Sequence, residues 1–345
     1  MGQTLVIAEK PSVAGDIARA LGGFKKDGDF WVSDAMIVGS AVGHLLEIKA
    51  PEEYDVKRGR WSFANLPVLP PHFDLQPIKK SIKKFEGLEK KIRSRSVTDI
   101  INACDAGREG ELIFRYIIQA TGTKKPIRRL WLQSMTKASI QKAFTALRSD
   151  AEMKPLEAAA RSRSEADWLV GINGTRALTA FNSKDGGFFL TTVGRVQTPT
   201  LAIVVAREEE ITHFKPQNYW EVHATFGAQA GDYDSVWVDA DFKKTKGQSA
   251  ELKPERLWTA AEAQAIVAKC QGKLGIVTDH KRRATSAPPA LFDLTSLQRE
   301  ANGRFGFPAK MTLAILQRLY ERHKVLTYPR TDSRALPEDY PETMK

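Results

Sequence analysis

The sequence predicts an α/β layer followed by helical and β-rich modules, a multidomain plan rather than a single core. Length is the first observation: 345 residues exceed one ordinary hydrophobic core, and typical domains would number about two to three. The second is periodicity. Short, unbroken apolar runs within residues 1–150 each give way to helical spacing, the pattern of strands buried on both faces and crossed by helices. The third is a change near residue 216, where helical spacing yields to the alternation of half-buried strands.

Taken in order, Leu5, Val6, Ile7 and Ala8 form a buried strand, and Pro11 opens a helix carrying Val13, Ile17, Ala18 and Leu21 until Gly22 and Gly23 end it. Residues 31–32 and 35–42 read as a hairpin. A basic helix over 78–95 keeps Ile82, Phe85, Leu88 and Ile92 on one face, and 100–104 is a second buried strand with a helix after it at 110–120. A strand at 128–132 and a helix from Thr136 close the first domain, 1–150. Helical character over 155–180, a loop at 184–187 and a helix over 200–210 make up 151–215. Alternation at 219–225 and 235–242, a polar loop at 245–255, a helix at 260–269 and a strand at 274–277 make up 216–280. Residues 281–289 cross over extended, since Pro288 and Pro289 disfavour helix before them. Helices over 296–305 and 310–323 then deliver Tyr328 within the last domain, 281–345.

Composition narrows the classes. Lys and Arg total 52 against 41 Asp and Glu, a formal charge of +11 with a sequence pI near 9.5, which favours a polyanionic partner. Two cysteines, Cys104 and Cys270, exclude a disulfide framework and a four-cysteine zinc site within this chain, and a reducing cytoplasmic setting follows. No apolar run approaches the roughly 20 residues of a membrane span, and the start lacks the long apolar core of a signal peptide.

Two stretches carry chemistry. In Asp105-Ala106-Gly107-Arg108-Glu109-Gly110-Glu111-Leu112, carboxylates follow a buried strand, as Glu9 and Lys10 follow the first. If those strands are neighbours in a parallel sheet, the carboxylates converge at its C-terminal edge. Asp105 and Glu109 then suit one Mg²⁺ with oxygen ligands, with Glu9 nearer the reacting bond. Alone, the run also fits a plain helix start in which Asp105 caps and Glu109 and Glu111 sit at the positive end. The second stretch is Leu326-Thr327-Tyr328-Pro329-Arg330-Thr331-Asp332-Ser333-Arg334. A phenolate is a competent nucleophile toward a phosphodiester, but an ordinary tyrosine pKa of about 10 calls for cationic help. Arg330 stands two residues on, on the same face of an extended segment, and its planar fork suits nonbridging phosphate oxygens. Asp332 is a candidate to orient it.

Together these stretches resemble the type IA DNA topoisomerases, the bacterial topoisomerase III branch most closely. Glu9-Lys10 and the Asp105-x-Gly107-x-Glu109 run are similar to the Toprim domain, and Thr327 through Arg334 is similar to the active-site tyrosine motif. Gly194-Arg195-Val196-Gln197-Thr198-Pro199, the stretch Ala166 through Ala177, and Phe292 through Gln298 resemble further family motifs, so the likeness runs from Glu9 to Arg334. Gly107 departs from the Toprim pattern, standing where many members carry a second aspartate; one metal ligand is absent.

The resemblance implies a toroid: a Toprim α/β domain at 1–150, the first part of a helical DNA-groove domain at 151–215, the first part of a β-rich arch or hinge at 216–280, and an incomplete catalytic tyrosine domain at 281–345. The chain is then an N-terminal fragment, truncated at its C-terminus. The implied reaction is an ATP-independent, transient single-strand break through a 5′-phosphotyrosyl intermediate, strand passage and rejoining, which relaxes negative supercoils and decatenates DNA. Tyr328 is the implied nucleophile, Arg330 and Lys10 stabilise the phosphate, and Glu9 gives a proton to the leaving 3′ oxygen. Glu9, Asp105 and Glu109 form the Mg²⁺ set. DNA contacts fall to Gly194, Arg195, Val196, Gln197, Thr198 and Pro199, which can hold phosphates at a helix start, and to Asn173, Arg176, Trp61 and Trp168. The two tryptophans are either base-stacking platforms or structural. The partners are single-stranded and underwound DNA, with a helicase or single-strand-binding protein left open, in a cytoplasmic, nucleoid-associated setting. A Toprim primase or nuclease would use the acidic site without Tyr328, and a noncatalytic DNA-binding fragment would bind without forming an adduct.

Overall fold

The computed structural model describes residues 2–53, 61–243, 252–323 and 325–340. Its first part runs β1 (Gln3–Ala8), α1 (Pro11–Leu21), β2 (Lys25–Asp27), β3 (Phe30–Val32), β4 (Met36–Ser40), β5 (Leu46–Ile48), β6 (Leu75–Pro77), α2 (Ile82–Arg93), β7 (Val97–Ala103), α3 (Arg108–Thr121), β8 (Ile127–Arg129), α4 (Lys137–Thr145) and β9 (Arg148–Ser149). Seven strands form one sheet in the order β2-β3-β4-β1-β7-β8-β9. Its centre is parallel, with β1 between β4 and β7 and β8 beyond β7, while β3 and β9 run antiparallel to it and β2 pairs antiparallel with β3 at one edge. β5 and β6, an antiparallel pair, form a separate two-stranded sheet.

Side-chain alternation divides the core between the two faces of this sheet. Leu5, Ile7, Ile37 and Ile100 pack with Phe85, Leu88 and Ile92 of α2 and with Ile113, Phe114 and Ile117 of α3. Val6, Ala8, Val38 and Ile101 point the other way, onto Val13 and Ile17 of α1 and Ile140 of α4. The result is a helix-sheet-helix sandwich in which β1 is buried on both sides, the reason its sequence is uniformly apolar. Each fully buried aliphatic side chain contributes about 1.5–3 kcal/mol, so the central strands are the stiffest support the molecule offers to whatever sits at their ends.

A long helix, α5 (Asp150–Asn182), follows, started by a capping box in which Ser149 Oγ accepts from the Glu152 amide and the Glu152 carboxylate accepts from the Ser149 amide. Beyond it come α6 (Gln197–Thr212), β10 (His223–Ala228), β11 (Gly231–Val236), α7 (Ala260–Cys270), α8 (Leu294–Phe305) and α9 (Ala309–Arg318), the last running into a π-type turn at Leu319–His323. The chain divides into two compact units, Met1–Thr200 with Pro288–Lys345, and Leu201–Ala287. In the first, the returning C-terminal segment joins the N-terminal layer. The second holds the antiparallel hairpin of β10 and β11, a bridge between Trp220 and Leu257, and α7.

Two expectations for the second unit change, and a third falls partly outside the described residues. The hairpin strands lie at 223–228 and 231–236 rather than at 219–225 and 235–242, because the chain reverses at Gly231, whose φ of 121° is open to glycine, and this turn sets the register. Residues 274–277 form no strand among the described residues: Leu274 and Ile276 are fully exposed, and an apolar run without a partner edge has no ladder to join. Part of the predicted 245–255 loop, residues 245–251, lies outside the described residues.

Candidate functional site

The parallel pairing of β1 and β7 puts Ala8 opposite Ala103, so Glu9 and Asp105 emerge side by side where both strands end. Lys10, at the entry to α1, lies between them: its Nζ is 3.0 Å from Asp105 Oδ2 and 3.7 Å from Glu9 Oε1. The same ammonium stands 4.4 Å from the centre of the Tyr328 ring, which Tyr320 also meets edge-on at 5.6 Å between centroids. Residues from the start, the first third and the end of the chain thus meet at one sheet edge.

The electrostatics of the cluster are unequal. Burial, and then the neighbouring Asp105 charge, push the Glu9 carboxyl above its usual range, and Lys10 offsets only part of that. Burial pulls Lys10 down, but the hydrogen bond to Asp105 and the charges of Asp105, Glu9 and Tyr328 outweigh it, so the ammonium is held above its ordinary value. The site therefore carries a firmly charged cation beside a carboxyl that retains its proton unusually well.

A buried network beneath the turn holds Asp105. Arg129, almost wholly enclosed, donates from Nη1 to Asn102 O, Asn102 Oδ1 and Cys104 O, and from Nη2 to Asp105 O, at 2.7–3.1 Å. Glu111, fully buried in the first turn of α3, accepts from Asn102 Nδ2 at 3.0 Å and from Arg115 Nε at 2.7 Å. Gly110 completes the fit, since a Cβ there would stand 2.2 Å from Asp105 O and 2.7 Å from Asp105 N. Gly107, by contrast, has an extended φ of 178° and open space around a would-be Cβ. Burial raises the Cys104 thiol pKa, and the thiol is inert beside the turn.

The remaining predicted residues fall in different surroundings. Glu109 is exposed and pairs with His44 at 3.2 Å, and among the described residues no three His, Cys, Asp or Glu side chains are gathered to hold a metal ion. Arg330 is exposed, with no carboxylate, Asp332 included, bonded to it among the described residues. Asn173 clamps a loop, its Oδ1 accepting from the Val68 amide and its Nδ2 donating to Val68 O. Arg176 is buried, paired with Glu52 and 5.3 Å from the Trp61 ring. Asn173 is fully engaged with the loop, while Arg176 lines the groove beside Trp61 with its Nε buried and unpaired among the described residues. Trp168 donates to Lys49 O and meets Phe73 edge-on, a structural setting. Trp61 is half-buried against Phe188 and borders a groove with Pro51, Gly171, Ile172 and Thr175.

At the start of α6, Thr198 closes a small ring with Gly194, its Oγ1 accepting from the Gly194 amide at 3.0 Å while its own amide donates to Gly194 O. Gln197 donates to Thr192, and Arg195 forms a two-point pair with Asp167. Val196 and Pro199 are exposed beside them.

The domain pattern named Toprim domain matches residues 4–135, and the pattern described as DNA topoisomerase matches residues 151–345, more than half of the chain. The chain belongs to the DNA topoisomerase family. Over its whole length it is 42% identical to DNA topoisomerase 3 of Bacillus subtilis and to that of Bacillus licheniformis, in each case covering 45% of the relative. The chain thus spans about half the length of these relatives. Full-length topoisomerase I of Thermotoga maritima shares the fold, with a TM-score of 0.58 at 23% identity over 98% of this chain and 51% of the other.

Sequence reasoning missed Arg129, Asn102 and Tyr320, and the buried roles of Glu111 and Gly110. A charged pair inside an otherwise apolar strand, Arg128-Arg129, was a signal for a buried, bonded arginine, and the i,i+4 spacing of Glu111 and Arg115 was another. Nothing local marked Tyr320, whose partner is eight residues away around a π-type turn.

Proposed function

We propose that this chain carries the cleavage centre of a type IA topoisomerase, in which the Tyr328 phenol gives its proton to solvent and its Oη attacks a DNA phosphorus, the P–O3′ bond breaks, and a 5′-phosphotyrosyl ester forms with a free 3′ hydroxyl. The observation that carries this reading is the Lys10 ammonium lying between the Glu9–Asp105 carboxylates and the Tyr328 ring. A primase or nuclease built on the same acidic edge has no use for a tyrosine there.

In this scheme Glu9, with its raised affinity for a proton, gives it to the departing 3′ oxygen and takes it back on rejoining. Lys10 balances the charge that builds on the nonbridging oxygens, and Arg330, exposed and not committed to a carboxylate among the described residues, closes on the same oxygens. The Mg²⁺ we propose supplies charge neutralisation at the phosphate when bound. Asp105 and Glu9 would hold it, with Glu109 joining them on leaving His44; the Glu9 carboxyl is raised first by burial and then by the Asp105 charge, and a cation there would relieve the second of these. Trp61 is the stacking platform for a base. The segment Gly194 through Pro199 receives phosphates, and Asn173 and Arg176 position the Trp61 groove.

The whole protein, on this reading, relaxes negative supercoils and decatenates DNA by passing strands through the break, working on single-stranded and underwound DNA in the cytoplasm at the nucleoid. The division into 1–150, 151–215, 216–280 and 281–345 is part of the same proposal. Label polarity tests the chemistry. Incubated with Mg²⁺ and denatured, the chain is expected to retain label from a 3′-end-labelled single strand and to release label from a 5′-end-labelled one. Retention of the 5′ label instead, or hydrolysed ends with no adduct, would contradict it.

A further inference from the structure

The segment that carries Tyr328 is tied at its middle to the entrance of α8, where the Leu294 amide donates to Thr331 O at 3.1 Å and Arg334 Nε donates to Leu291 O at 2.8 Å. Those bonds do not reach the Toprim sheet. Toward that sheet, the ring of Tyr328 has its contact with Lys10, and a cation–π contact at an exposed ring is weak. Eleven residues further on, Asp339 makes a different kind of contact. Its Oδ2 accepts from Ser134 Oγ at 2.8 Å, Thr136 Oγ1 at 2.6 Å and Ser139 Oγ at 2.7 Å.

We infer that Asp339 is a positioning residue, a clasp that docks the tyrosine segment on the hydroxyls at the start of α4 and thereby keeps the Tyr328 phenol beside Lys10. Three hydroxyl donors on one carboxylate oxygen are charge-assisted bonds, and the first turn of α4 adds the favourable field of a helix N-terminus. The three bonds hold the Asp339 carboxyl down at about 2, so the clasp stays closed through neutral pH. Thr136 has a second duty as the cap of α4, accepting from the Ser139 amide at 3.3 Å. Ser134 and Ser139 are therefore the residues to change from the Toprim side. Nothing in the tyrosine motif itself points to Asp339.

The inference rests on the transesterification reading, and the test separates the two. Single-turnover adduct formation is measured for wild type, Asp339→Ala, the double variant Ser134→Ala/Ser139→Ala, and the combination, as a rate constant and a half-saturating DNA concentration. Each variant is expected to slow adduct formation by about tenfold or more, the scale of a displaced reacting group, at unchanged half-saturation. The combination should be no slower than Asp339→Ala alone, because both remove one contact. Additive losses, or a wild-type rate in Asp339→Ala, would overturn it. Amide hydrogen exchange over residues 325–335, without DNA or Mg²⁺, reads the contact independently: faster exchange in every variant supports the clasp, and unchanged exchange overturns it. A wild-type chain that forms no adduct would sink the chemistry instead, with the exchange experiment still deciding the clasp.

Discussion

Glu9 and Gly110 carry the strongest demands on single residues. The folded state raises the Glu9 pKa, through burial and then through Asp105, so ionising Glu9 costs the fold stability at neutral pH. The contribution of a raised carboxyl is intact below its unfolded pKa and is lost as pH rises through the folded one. Glu9→Gln is therefore expected to melt at a higher temperature than wild type near pH 7, with the gap closing as pH falls into the ordinary carboxylate range; a gap that widens in acid would refute this. Gly110 is required by the approach of the Asp105 backbone. Alanine normally favours a helix over glycine by about 1 kcal/mol, but here the added methyl overlaps main chain, and overpacking of this kind costs about 1–3 kcal/mol. Gly110→Ala should lower the denaturation midpoint and slow adduct formation. A more stable, fully active variant would show that the turn does not depend on that approach.

Helix starts and strand ends position the site, and they differ in how legible they were. The convergence of Glu9 and Asp105 was readable, because two apolar runs each ending in a carboxylate imply neighbouring buried strands, and β1 and β7 pair in parallel. The approach of Tyr328 to Lys10 was expected only through the family resemblance, since it depends on the chain returning from its far end. The second unit was least legible: alternation marked strands, but the turn at Gly231 and the missing partner for 274–277 are decided by tertiary pairing rather than by local spacing. Asn173 and Arg176 show a related limit, because polar residues in a motif look alike whether they face solvent or clamp a buried loop. At this scale α5 offers a clean test. Its capping box at Ser149 and Glu152 predicts that Ser149→Ala costs about 1 kcal/mol in denaturant unfolding, and a loss indistinguishable from zero would mean that α5 is held by packing alone.

Across the whole molecule, a basic chain of +11 gathers the proposed nucleophile, a firmly charged lysine and a proton-retaining carboxyl at the edge of a rigid sheet. Charge favours the proposed DNA partner and predicts that binding weakens steeply with salt; it does not account for the proposed chemistry. On the proposed reading, that chemistry rests on the meeting of Tyr328 with Lys10, Glu9 and Asp105, two stretches that the family resemblance, rather than local spacing, brought together. The most direct measurement is rapid denaturation of the chain after incubation with labelled single-stranded DNA and Mg²⁺, comparing wild type with Tyr328→Phe. The account predicts a covalent protein–DNA adduct in wild type and none in Tyr328→Phe at equal DNA binding. An adduct of undiminished yield in Tyr328→Phe would contradict it.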